Sequence, residues 1–182
     1  MAGFRAITPS INVNTQSGQL RTELLNTFTR LDGQLQAAPY RVSTQNGPVG
    51  NTSSSETTMQ SFQIDFNTLA KVGTSIQIFA CGKTAANANN KTYKVKLGST
   101  TLFTSGAIAM NNKDWTFRGE IVSNGSTSQI FYGEFAYNGA SPIITTTTAS
   151  EDLGTNLTLA FTGQGTATSD ILQYYYKLIL IG

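Results

Sequence analysis

The side chains with chemistry to offer are few in this chain, and their types exclude more than they suggest. The sequence contains no histidine and a single cysteine, Cys81. A Ser-His-Asp triad, a Cys-His pair and every His-containing zinc site are therefore excluded. So are an intramolecular disulfide and any cysteine cluster for zinc or iron–sulfur. Cys81 precedes Gly82-Lys83, and a neighbouring lysine could lower a thiol's pKa enough to make it a nucleophile. Without an imidazole to act as base, the expected role is that of a small, half-buried structural residue. No metal and no cofactor is expected.

Paired carboxylates are the chemistry that remains, because two Asp or Glu flanking a sugar suffice for glycoside hydrolysis. Glu120 and Glu134 flank Asn124-Gly125, the strongest short-range hairpin dipeptide. A two-residue turn there sets Glu120 opposite Gln129 rather than Glu134, so the two carboxylates do not face each other. Glu151-Asp152 read as a solvated loop. No catalytic residue and no enzymatic activity is expected. Trp115, Tyr132, Tyr137 and the run Tyr174-Tyr175-Tyr176 offer rings for a glycan, but aromatics in a β domain more often form core or interface. No single ring stands out as the contact. Asn51, Asn90, Asn124 and Asn156 each match the N-x-S/T pattern, which arises by chance where Ser, Thr and Asn make up roughly a third of the chain.

The elements that would position these residues follow from length and pattern. With 182 residues the chain fits one domain plus an arm. It carries 12 Lys and Arg against 10 Asp and Glu, a net charge of +2, and only 12% of its residues are charged. That balance, without a basic run, gives no footprint for a nucleic-acid partner. No apolar run reaches the ~18–20 residues of a membrane span, and the start lacks a signal-peptide core. Synthesis in a cytosol is the expectation.

Residues 1–16 read as an extended arm whose apolar side chains, Phe4, Ile7, Ile11 and Val13, need a partner surface to order them. Residues 17–38 carry the one helical pattern: Leu24, Phe28, Leu31 and Leu35 recur at spacings of four, three and four. A helix of about 20 residues with one apolar seam is marginal alone. The seam is expected to close in a short parallel bundle of identical subunits, the helix stopping before Pro39. Residues 39–58, rich in Gly, Ser and Thr, read as a linker.

From residue 59 to 182 the texture is period-2 alternation. Phe62/Ile64/Phe66, Ile76/Ile78, Tyr93/Val95/Leu97, Trp115/Phe117/Gly119/Ile121, Phe131/Gly133/Phe135/Tyr137 and Leu157/Leu159/Phe161 each mark one face of a strand. Gly98-Ser99 is a second two-residue hairpin signal. The last run places Leu172, Tyr174, Tyr176, Leu178 and Leu180 on one face, and its other face is half apolar too. Such a strand is either central in its domain or buried against another subunit. The expected fold is mainly β: an antiparallel β-sandwich, jelly-roll-like, preceded by the extended arm and the short oligomerising helix.

The stretch GSTTLFTSGAIAMNNKDWTFRGEIVSNGSTSQIFYGEF resembles a β-sandwich module of tail-fibre and other minor structural proteins of tailed bacteriophages. The likeness rests on Leu102, Phe103 and Gly106 at a turn, Trp115 and Ile121 on the next strand, and Phe131 and Phe135 on the one after. LTLAFTGQGTATSDILQYYYKLILI is similar to that module's closing strands, so the resemblance covers about residues 60–182. It implies a virion structural protein made in the host cytoplasm and assembled as a homotrimer. A capsid decoration, cement or head-fibre protein, with the major capsid protein or another virion protein as partner, is the first expectation. A tail-borne module contacting host surface glycan is the alternative.

Overall fold

The computed structural model describes residues 26–27 and 40–182, and the chain divides into two units, Met1–Ala38 and Pro39–Gly182. The expected attachment residues Phe4, Ile7, Ile11 and Val13 and the helical seam Leu24, Phe28, Leu31 and Leu35 lie outside the described residues.

The second unit is mainly β. Its strands are β1 (Tyr40–Gly50), β2 (Thr57–Ile64), β3 (Ser75–Thr84), β4 (Asn90–Leu97), β5 (Thr100–Thr104), β6 (Ile108–Ala109), β7 (Asp114–Gly125), β8 (Ser128–Tyr137), β9 (Ile143–Ala149), β10 (Leu157–Gln164) and β11 (Ile171–Ile181). They form two antiparallel sheets. One has the order β1-β11-β3-β7-β8-β9; the other runs β2-β10-β4-β5, with β6 also paired to β4. The pairings are nested: β1 with β11, β2 with β10, β3 with β7 and β4 with β5, assigned alternately to the two sheets.

Alternation explains why these residues become strands. Ile76, Ile78 and Ala80 of β3, Trp115, Phe117 and Ile121 of β7, and Phe131 and Phe135 of β8 are all buried, as are Tyr93, Val95 and Leu97 of β4. Side chains of both sheets belong to one core: Tyr93 lies 4.5 Å from Phe135 and 5.0 Å from Trp115, and Phe103 lies 5.1 Å from Phe117, centroid to centroid. Rings this large leave no space for side chains beneath them. Gly119 and Gly133 face each other across β7 and β8, and a Cβ at Gly133 would stand 2.6 Å from the Phe131 ring. Gly82 is paired with Trp115, and a Cβ there would meet the indole at 2.7 Å and collide with the Leu172 carbonyl.

Four expectations need correction. Residues 39–58 are not simply a linker, because β1 occupies Tyr40–Gly50 and pairs along β11. Its polar sequence gave no period because an edge strand can be held by its backbone ladder alone. Phe66 lies beyond the end of β2 and is exposed, and a bulge at Met59 lets Met59 and Ile64, five residues apart, both point inward. The turn after β7 falls at Ser126-Thr127, with Asn124-Gly125 forming an irregularity before it, so Glu120 faces Tyr132 and not Gln129. In β11 the ladder skips Tyr174, so the inward set is Ile171 and Gln173 before the bulge and Tyr176 and Leu178 after it. The Gly98-Ser99 hairpin does form: Leu97 pairs with Thr100, and Gly98 has φ +54° while Ser99 does not enter the positive region, as a type II′ turn requires.

Two stability tests follow from the core. Gly133→Ala should cost about 1–3 kcal/mol in urea unfolding, and Gly82→Ala more, because it strikes a backbone carbonyl rather than a ring. Conversely, the Tyr176 hydroxyl is buried without a hydrogen-bond partner. Tyr176→Phe should therefore be neutral or stabilise by up to about 1 kcal/mol.

Candidate binding face

The inner faces of the two sheets are consumed by the core, so recognition must use an outer face, an edge or the loops. The outer face of the six-stranded sheet is the one with unusual chemistry. Register places Lys177 (β11), Phe79 (β3), Arg118 (β7), Glu134 (β8) and Ile144 (β9) side by side in one row. The next row is Ile179, Gln77, Glu120, Tyr132 and Thr146. A sheet face that met only water would alternate to polar side chains at these positions. Here Ile130, Tyr132 and Ile144 are 42%, 45% and 61% exposed, and Phe79, Tyr175 and Ile179 are half-buried beside them.

The strands twist into a shallow depression of about 560 Å³, lined by Gln77, Phe79, Arg118, Glu120, Tyr132 and Tyr175 together with Lys177 and Ile179. The Arg118 guanidinium lies over the Phe79 ring at 5.8 Å, and Tyr175 meets Phe79 edge-on, also at 5.8 Å. Arg118 is directly across from Glu134, yet among the described residues neither Arg118 nor Lys177 is in an ion pair. Glu120 accepts a hydrogen bond of 2.6 Å from the Ser75 hydroxyl. The arrangement can stack on a ring or an apolar side chain and hold a charged group beside it. It contains no matched acid and base.

Of the aromatic rings that could offer a surface to a glycan, Tyr132 and Tyr175 line this depression. Trp115 and Tyr176 are buried in the core, Tyr137 packs on the core's margin, and Tyr174 is exposed at the β11 bulge. Phe79, Arg118 and Lys177 were not foreseen. Their signal was the half-apolar second face of β11, but the register that sets Phe79 and Arg118 beside it is not written locally. Cys81 is half-buried on this same outer face, between Tyr175 and Thr116, and partial burial pushes its thiol up rather than activating it. Among the described residues no cluster of three or more His, Cys, Asp or Glu could hold a metal ion. No described helix is long and apolar enough to cross a membrane.

The remaining carboxylates are fasteners. Glu151, expected in a solvated loop, grips the β4–β5 turn: one of its oxygens accepts bonds from the amides and hydroxyls of both Ser99 and Thr100, at 2.7–3.0 Å. The Thr100 hydroxyl is the main cause that holds its carboxyl below the usual range. Asp170 is buried; burial alone would raise it, but donors from Asn87, Thr166 and Ala167 outweigh that and hold it at about 2. Nearby, the fully buried Lys91 ammonium donates to the Asn87 carbonyl (3.0 Å), the Asn87 side chain (2.6 Å) and the Met110 carbonyl (2.8 Å). Glu56 bridges Lys94 and Lys96 at 2.6 Å each, and these bonds overcome its desolvation to hold it at about 2.

Compared with protein-family models the chain matches none, and it matches no curated protein sequence. The functional reading therefore rests on the residues and the fold.

These carboxylates set the pH dependence. A depressed folded-state pKa stabilises fully above the ordinary value and is lost as pH falls through the folded value. With no histidine, stability should be flat from about pH 5 to 8. It should then fall between the ordinary values, 4.5 for Glu56 and 3.8 for Asp170, and about 2. Asp170→Asn should cost about 2 kcal/mol at neutral pH and shorten that acid limb, as read by denaturant unfolding at stepped pH.

Proposed function

We propose that this protein is a non-enzymatic virion structural protein of a tailed bacteriophage, a homotrimeric capsid decoration, cement or head-fibre protein. Its second unit is read as a jelly-roll sandwich displayed outward. Residues 1–16 are read as the arm that attaches it to the major capsid protein or another virion protein, and Leu24, Phe28, Leu31 and Leu35 as a trimer seam. The observation that carries this reading is the nested pairing of β1/β11, β2/β10, β3/β7 and β4/β5 across two sheets, a long hairpin coiled on itself. Double-sheet jelly rolls of this kind build viral capsid domains. The sequence resemblance over residues 60–182 points the same way.

Chemistry supports assembly over turnover. Glu120 faces Tyr132, Glu134 faces Arg118, and Glu151 and Asp170 spend their oxygens on neighbouring donors. None of these carboxylates is paired with another across a cleft. Three weakly binding arms joined at one axis gain from effective concentration, so attachment depends steeply on trimerisation. One observation favours the alternative of a tail-borne glycan-binding module: Tyr132, Tyr175 and Phe79 line a depression that also holds Arg118 and Glu120.

Light scattering of the full chain should give three times the 19.5 kDa chain mass. Deleting residues 2–16 should leave the trimer intact and abolish incorporation into particles lacking the native protein. A monomer, or undiminished incorporation by the deleted trimer, would overturn the reading.

A further inference from the structure

We infer that the outer face of the six-stranded sheet is a self-association surface that docks on the same face of a second copy of this chain. The inference rests on the reading of the protein as a homo-oligomer and gives that oligomer a second seam, in the β unit.

Two observations select this occupant. The first is extent. The apolar side chains run past the depression, from Ile179 and Phe79 through Tyr132 to Ile130 and Ile144 at the β9 edge. A sugar seated over Phe79 and Tyr132 would leave Ile130 and Ile144 in water, whereas another sheet face covers the whole set. The second is the layout of charge. Along one row the order is Lys177, Phe79, Arg118, Glu134, with cations toward β11 and a carboxylate toward β9. In a ring of three about an axis parallel to the strands, the β11 side of each face meets the β8 side of the next copy's face. The cation-bearing side of one copy then faces the Glu134 side of the next at each of the three contacts. Arg118 and Lys177 are available for it, since among the described residues neither is in an ion pair.

Cys81, the single cysteine, lies half-buried on this face and reports whether it is covered. The test measures its rate of reaction with a disulfide reagent in the full chain over a range of protein concentrations, alongside mass by light scattering. The expected result is an oligomer whose thiol reacts at least tenfold more slowly than that of the diluted, dissociated protein. Ile179→Asp and Glu134→Lys should each remove that protection and raise the concentration for half-dissociation at least tenfold. The double swap Arg118→Glu with Glu134→Arg should restore both, and far-ultraviolet circular dichroism checks that each variant is folded. A trimer whose Cys81 reacts freely, or whose variants assemble like the parent, overturns docking through this face and leaves the homotrimer standing on its helical seam. A monomer at all concentrations overturns both. Protection that does not change on dilution to monomer assigns the cover to the chain's own residues 1–38 and overturns self-association through this face. Protection that appears only when a soluble glycan is added assigns the face to the glycan-binding alternative and likewise overturns it.

Discussion

The fold depends on fitting aromatic rings over glycine backs. Phe117 and Phe131 stand 6.5 Å apart in near-parallel planes, and beside them the paired glycines Gly119 and Gly133 leave the sheet bare. Trp115 repeats the device one strand away, lying against Gly82 of β3. Without these recesses three large rings could not share one layer with Phe135, Phe161 and Tyr93, whose centroids lie between 4.5 and 6.5 Å of their neighbours. Glycine weakens a strand by itself, since it adds entropy to the unfolded chain and packs nothing. Here the ring above it supplies the missing contact, as in the aromatic rescue of glycine in a sheet.

Filling the interior with rings leaves no room for polar compensation inside it, which pushes the polar groups to the ends of the sheets. There the chain uses few charges, each with several bonds. Asp170 gathers the Thr166 and Ala167 amides, the Thr166 hydroxyl and the side chains of Asn87 and Asn89, while Asn51 donates to the Ala167 carbonyl and accepts from the Ile171 amide. Lys91, alternating inward with Tyr93 on β4, is drawn into the same end and satisfied there. A buried ion is costly unless its donors and acceptors are met. Fastening of this kind lets a chain with only 12% charged residues close its loops.

What the sequence shows and what it hides follow from the same physics. Tyr93/Val95/Leu97, Trp115/Phe117 and Phe131/Phe135 were legible because burial on one face forces period 2, and all of them are core. β1 and β9 were not legible as strands. β1 reads STQNG where it pairs with β11, and β9 is a threonine run at the sheet edge; both are held by a ladder whose partner lies far along the chain. Parity was readable only up to a bulge: one extra residue at Tyr174 moves Gln173 inside and sends Tyr175 out. Glu151 was missed for a different reason. It acts on a turn 51 and 52 residues earlier, and nothing near it marks the target.

The outer face was half legible. β11 showed both faces apolar, which leaves a choice between a central strand and a buried one. The structure shows that β11 is central, between β1 and β3. That accounts for its backbone but not for its outward side chains, because a central strand in a sheet with one wet face needs apolar residues on one side only. The outward Tyr175, Ile179 and Ile181 are joined from the neighbouring strands by Phe79, Val122, Ile130 and Tyr132. Four strands therefore share one departure from the pattern that solvent would impose. A local accident of composition would affect one strand, whereas a departure continuous across the register is a property of the face, and it is the property on which the proposed self-association rests.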